Sequence, residues 1–178
     1  PMPGRVRVFI ATSLDGFIAG PGDDLSWLPE PRADEDYGYA AFMAQTGAIL
    51  MGRSTYEVAA GFDGPWPYDD TPVLVATRRE LDAPAAPTVE AVAGTPEELV
   101  ALAHERAVGR DIYLDGGDLV RQVLDAGLVD ELTITVIPVI LGAGAPLFAG
   151  AARRTLRLRG TALFEGGIVQ LRYSHAGE

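Results

Sequence analysis

The chain has 178 residues, 48% of them apolar, and a formal net charge of −11. That length buries one ordinary core and is short for two, and the acidic balance argues against a nucleic-acid or anionic-membrane surface. Cysteine is absent and all 14 basic residues are arginine, which excludes disulfides, thiolate chemistry, Schiff-base lysines and a Walker-type phosphate lysine.

Residues 6–12 form an apolar strand candidate, and Asp15-Gly16 then supplies turn chemistry. A polar loop opens at Pro21-Gly22-Asp23-Asp24. The next helix is expected over residues 34–45, with its acidic residues in the first turn as the helix dipole favours. Residues 48–51 read as a short buried strand ended by Gly52. Ser54 is expected to cap the following helix, with Glu57 completing the capping-box spacing. Residues 61–70 (GFDGPWPYDD) read as a loop with exposed aromatics. Strands are expected over 72–77 and 88–92. Thr95-Pro96-Glu97-Glu98 starts a helix with a hydroxyl cap, proline at the first position and a glutamate at the third, and Gly109 stops it.

Residues 112–148 are the most informative stretch: strand, paired glycines, helix, strand and a second glycine cluster. Gly116-Gly117 let the chain turn tightly from residues 112–114 into a helix beginning near Asp118 or Leu119. A glycine turn at a helix N-terminus presents free N–H groups that suit a phosphate; it also serves as a plain structural turn. Residues 156–164 and 168–174 alternate around Gly166-Gly167 as an antiparallel hairpin. Alternating strands and helices followed by a hairpin predict a single α/β domain over residues 1–178, its sheet mostly parallel with an antiparallel edge.

His104 and His175 stand far apart without clustered carboxylates, so a zinc site is not expected, and no GxSxG elbow supports a serine hydrolase. No stretch has the length of a membrane span. The absence of cysteine and of a signal-peptide pattern fits a cytoplasmic protein.

Four segments, IATSLDGFIAG, ILMGRSTYE, VLVATR and the LDGG-to-PLF stretch, together resemble the dihydrofolate reductase superfamily. The likeness is strongest to the C-terminal reductase domain of bifunctional riboflavin-biosynthesis deaminase/reductases, and it covers nearly the whole chain. The resemblance implies a dihydrofolate-reductase-like domain with a mostly parallel sheet flanked by helices. It also implies NADPH as cofactor, a homodimer, and hydride transfer to a carbonyl or imine carbon of a small molecule, pterin- or pyrimidine-like. On that alignment Ala11 and Ile18 line the nicotinamide. Gly52, Arg53, Ser54 and Thr55 receive the phosphates, and Thr77, Arg78 and Arg79 approach the 2′-phosphate. Gly116 and Gly117 match the family's paired glycines, joined there by a cis peptide, with Asp118, Leu119 and Gln122 beside the pyrophosphate and nicotinamide. Asp118 is expected to turn its side chain away and use its N–H.

Gly38 falls where folate reductases place a buried acid, and no cation is evident for a ribose phosphate. The substrate side is therefore read as aromatic, with Trp27, Phe42 and Trp66 foremost, Tyr37, Tyr39, Tyr56 and Phe62 beside them, and Thr135 beneath. Asp15, Asp36, Tyr37 and Tyr56 stand as unranked candidates for donating the proton. The apolar run 133–141 is the candidate dimer surface. A non-catalytic NADP-binding or regulatory dimer on the same fold is the alternative reading.

Overall fold

A computed structural model describes residues 2–177. In chain order the elements are β1 (Val6–Ser13), β2 (Phe17–Ala19), α1 (Tyr39–Gln45), β3 (Thr46–Gly52), α2 (Arg53–Ala60), β4 (Val73–Ala76) and β5 (Val89–Val92). There follow α3 (Pro96–Ala107), β6 (Asp111–Asp115), α4 (Gly117–Asp125), β7 (Glu131–Ile137), β8 (Ala145–Pro146), β9 (Leu156–Phe164) and β10 (Ile168–His175). Eight strands form one sheet in the order β5-β4-β3-β6-β1-β7-β10-β9, and β2 pairs with β8 in a small second sheet. From β5 to β7 every pairing is parallel; β10 joins β7 and β9 antiparallel.

The period-2 alternation of the inner strands divides the core. On β3, Ala48 and Leu50 face the layer of α3 and α4, where they meet Leu99, Ala103, Val120 and Val123; Ile49 and Met51 face Phe42, Tyr56 and Tyr113 on the other side. Each fully buried side chain of the size of Leu50, Leu74 or Ile112 contributes about 1.5–3 kcal/mol through burial. Helix α3 begins as its sequence predicts, with Thr95 and Glu98 in a reciprocal capping box. No described helix is long and apolar enough to cross a membrane.

Two helix starts differ from expectation. Helix α1 begins at Tyr39, five residues later than its acidic run suggests, because Tyr37 (φ 56°) and Gly38 (φ 85°) both take left-handed backbone. Asp36 instead accepts from the N–H groups of Gly38 and Ala40, which satisfies part of the helix start. Helix α2 runs directly from β3, so Ser54 lies inside it, and Glu57 pairs with Arg53 one turn back at 2.8 Å. Within the run 133–141, residues 133–137 belong to β7, between β1 and β10, with Thr133, Ile134, Thr135 and Ile137 buried, while Ile140 beyond the strand is 72% exposed.

Candidate functional site

The parallel strands end together on one rim of the sheet, and α2 and α4 both start there. Open α/β sheets bind ligands at this rim. A cleft of about 1050 Å³ runs along it. Every residue that the resemblance assigns to the nucleotide lines this cleft except Arg79: Ala11, Ile18, Gly52 to Thr55, Thr77, Arg78, Gly116 to Leu119 and Gln122.

The convergence of the two helix starts is tight. Gly116 turns the chain at φ 100°, and a Cβ there would lie 2.8 Å from Thr55 Oγ1 and 3.3 Å from the Gly52 nitrogen. Only glycine satisfies both the backbone angle and the close approach. The link to Gly117 is trans, in contrast to the cis link the resemblance implies; the turn is made at the Gly116 φ angle. Helix α4 starts at Gly117, earlier than the sequence suggests. Asp118 turns its side chain to solvent, 93% exposed and 3.5 Å from Arg121.

The arginines divide by engagement. Arg53 pairs with Glu57 and donates to Thr77 Oγ1 and to the carbonyls of Arg79 and Glu80 at 3.3 Å each, so it staples α2 to the turn after β4. Arg79 lies outside the cleft because its main chain is held in that turn, donating to Thr77 Oγ1 and accepting from Arg53. Arg78 lines the cleft and has no hydrogen-bond or ion-pair partner among the described residues. An unpaired guanidinium beside two converging helix N-termini matches the phosphates of a dinucleotide, so the residues present fit that cofactor.

Of the residues expected on the substrate side, Trp27, Phe42, Trp66 and Thr135 do not line this cleft. Phe42 packs between Phe9 (4.9 Å) and Tyr113 (5.0 Å), with the Arg7 guanidinium 4.7 Å from its ring centre. Trp66 lies between Tyr56 and Tyr68, burying its ring against the core. Trp27 donates its indole N–H to the Asp24 carbonyl outside the cleft. Thr135 is buried, its hydroxyl accepting from Gln170. Of the aromatic set, only Phe62 lines the cleft. Its partners in that wall are Leu25, Leu28, Val58 and Tyr68, none of which carries a motif in the sequence.

The four candidate proton donors are likewise engaged. The Ser13 hydroxyl, reinforced by the N–H groups of Gly142 and Leu141, outweighs desolvation and holds the Asp15 carboxyl at about 2. Asp15 thus clasps the turn after β1 to the loop after β7. The N–H groups of Ala40 and Gly38 keep Asp36 below the ordinary carboxylate value. Tyr56 accepts from the Ala85 N–H, and Tyr37 packs edge-on against Phe164 beside a second cavity of about 280 Å³.

Asp115, which sequence reasoning passed over, ends β6 and lines the cleft. It accepts from the Gly116 N–H at 2.8 Å and from the Tyr113 hydroxyl at 3.3 Å. Burial raises its carboxyl above the ordinary value and outweighs both of these bonds. Its field reaches Tyr39, Tyr68 and Tyr113, whose hydroxyls desolvation pushes up first, Tyr39 to about 12. The signal was present in sequence: an acid immediately before paired glycines at the end of a buried strand.

This strand order, with α2 and α4 starting at one rim and a terminal antiparallel hairpin, defines a dihydrofolate-reductase-like α/β domain. Dihydrofolate reductase from Enterococcus faecalis, solved with NADP(H) and RAB-propyl, matches the fold at a TM-score of 0.67 and 18% identity over 98% of both chains. The chain belongs to the RibD C-terminal domain family, whose model matches residues 5–169. It is 36% identical to the uncharacterized protein YwjB of Bacillus subtilis strain 168, over 98% of this chain and all of that one. A protein from Shewanella sp. PV-4 provisionally assigned to riboflavin biosynthesis superposes with a TM-score of 0.85, at 31% identity over 97% and 98% of the two chains. Family and fold together support a reductase scaffold.

Proposed function

We propose that this chain is an NADPH-dependent reductase, a single domain over residues 1–178, that reduces a carbonyl or imine carbon of a small molecule. One observation carries the reading: two helix N-termini converge at Gly52 and Gly116 beside the unpaired Arg78, in a cleft large enough for a dinucleotide and a second small ligand. Arg78 supplies the cation that a 2′-phosphate requires, while the N–H groups at the starts of α2 and α4 suit the pyrophosphate. The relative solved with NADP(H) lends the same support. A bound reduced nicotinamide would supply the hydride.

The chain's own part is positioning, exclusion of water and delivery of a proton. Ala11 and Ile18 form an apolar surface for a flat ring. Asp15 fixes the loops that carry Ile18 and the β8 segment along the cleft wall. Asp115, whose carboxyl burial raises above the ordinary value, lines the cleft and is the group placed to donate toward the heteroatom of the reduced bond. Tyr113 orients that carboxyl through its hydroxyl.

The test is a titration with NADPH and NADH, read by tryptophan fluorescence or calorimetry. The expected result is preference for NADPH that Arg78→Ala removes; failure to bind either nucleotide overturns the reading. A homodimer in the cytoplasm belongs to the same proposal, supported by the exposure of Leu158 (51%) and Leu163 (80%) on the edge strand β9. A monomeric mass by light scattering would remove the dimer. The engagement of Asp15, Asp36 and Tyr56 in structural bonds favours a second reading, a nucleotide-binding regulatory protein without turnover. That reading expects binding with no NADPH oxidation across a panel of carbonyls and pterins.

A further inference from the structure

The charges along the cleft are unevenly placed. Its three arginines, Arg53, Arg78 and Arg121, stand on α2's first turn, after β4 and on α4, which is the wall that suits phosphates. A second stretch of lining comes from the loop after β2, the later part of α2 and the segment beyond it. There the lining is Leu25, Leu28, Val58 and Phe62, with Asp23 and Tyr68 as its polar members. No described residue of this second wall is basic. The loop itself carries Asp23, Asp24, Glu30, Asp34, Glu35 and Asp36 against a single cation, Arg32. That cation is committed to Asp34 (2.8 Å) and Glu165 (3.1 Å).

A phosphate or carboxylate placed against this wall would lose water without gaining a charged partner, and would face an acidic loop. We infer that the second ligand of the cleft is a compact, largely apolar compound with no anionic group, its carbonyl or imine aimed at Asp115. The inference rests on the reductase reading for the carbonyl or imine and for the direction it faces. The exclusion of anions rests on the wall alone.

The experiment compares three aldehydes of one shape: benzaldehyde, para-carboxybenzaldehyde and para-formylphenyl phosphate. Binding is measured by calorimetry on the full chain, alone and saturated with NADP⁺, so that no turnover is needed. The chain has no lysine, so adventitious imines at lysine side chains do not confuse the reading. Benzaldehyde is expected to bind at least about tenfold more tightly than either anion. Phe62→Arg, at a half-exposed side chain, is expected to narrow that gap by at least about threefold without changing NADP⁺ affinity. Equal or tighter binding of the anions by the unaltered protein overturns the inference, as does a gap that Phe62→Arg leaves unchanged. Failure of NADP⁺ to bind would overturn the reductase reading instead, and the aldehyde ratio on the nucleotide-free protein would still decide the nature of the wall.

Discussion

Strand β6 begins with Asp111 and ends with Asp115, and the two carboxyls are shifted in opposite directions. At the first end, burial pushes Asp111 up, but the Arg5 main-chain N–H and the guanidinium groups of Arg5 and Arg7 outweigh it and keep the acid low. Arg7 also holds Glu131 at 2.8 Å and Gln45 at 2.7 Å, tying β1, β6, β7 and α1 at this rim. At the far end, Asp115 accepts from an N–H and a tyrosine hydroxyl, while Arg78, which lines the same cleft, has no partner among the described residues. One rim pairs its charges and holds the sheet in register. The other leaves an acid raised by burial and, among the described residues, an unpaired guanidinium beside a cleft, the arrangement expected where chemistry is done.

The strongest way to break this contrast is Asp115→Asn. Turnover is expected to fall by about 10²–10⁴-fold with NADPH affinity unchanged, as steady-state rates and a nucleotide titration would show. On the proposed reading, turnover by the unaltered protein is expected to decline as pH rises through the raised Asp115 value, because the carboxyl is then ionised. Arg7→Met tests the opposite rim. Removing a guanidinium that is 10% exposed leaves Asp111 and Glu131 with only the half-exposed Arg5 as a cation among the described residues, and urea unfolding should register a loss of about 3 kcal/mol. Next in size, Arg78→Ala should weaken NADPH by about tenfold or more and leave NADH nearly untouched, since only NADPH carries the extra phosphate.

Stability against pH sharpens the comparison further. Asp111, with its lowered value, contributes stability that is present above the unfolded value and lost as pH falls through the folded one. The raised Asp115 contributes in the reverse sense, most below the unfolded value and lost as pH rises through the folded one. Asp111→Asn should therefore flatten the acid side of the profile, and Asp115→Asn the limb at higher pH. The smallest effect is reserved for Arg5→Ala. It shares both acids with Arg7 but is 52% exposed, and about 0.5 kcal/mol is expected by the same unfolding assay.

Much of this molecule was legible in its sequence. The inner strands announce themselves as short apolar runs, and the α3 capping box is written in Thr95 and Glu98. What escaped prediction depends on contacts distant in sequence. The acidic run before α1 reads as a helical first turn until Tyr37 and Gly38 are seen in left-handed backbone. Trp66 and Phe42 resemble ligand platforms by type, yet large rings bring most benefit when buried against other rings, and both are turned into the core. The rim where α2 and α4 begin was easier to read because glycines and hydroxyls at helix starts leave a local pattern. The second wall leaves none, since Leu25, Leu28 and Phe62 come together only through the fold.

Strand β1 sits inside the sheet, between β6 and β7, pairing Val6 with Ile112 and Val8 with Leu132. During synthesis the first strand therefore waits for more than a hundred residues to emerge before either neighbour exists. Parallel pairings over such separations close slowly, and the waiting edge is an apolar template for self-association. Recovery of active protein should thus depend on the rate of synthesis and on chaperone supply more than on the stability of the finished fold.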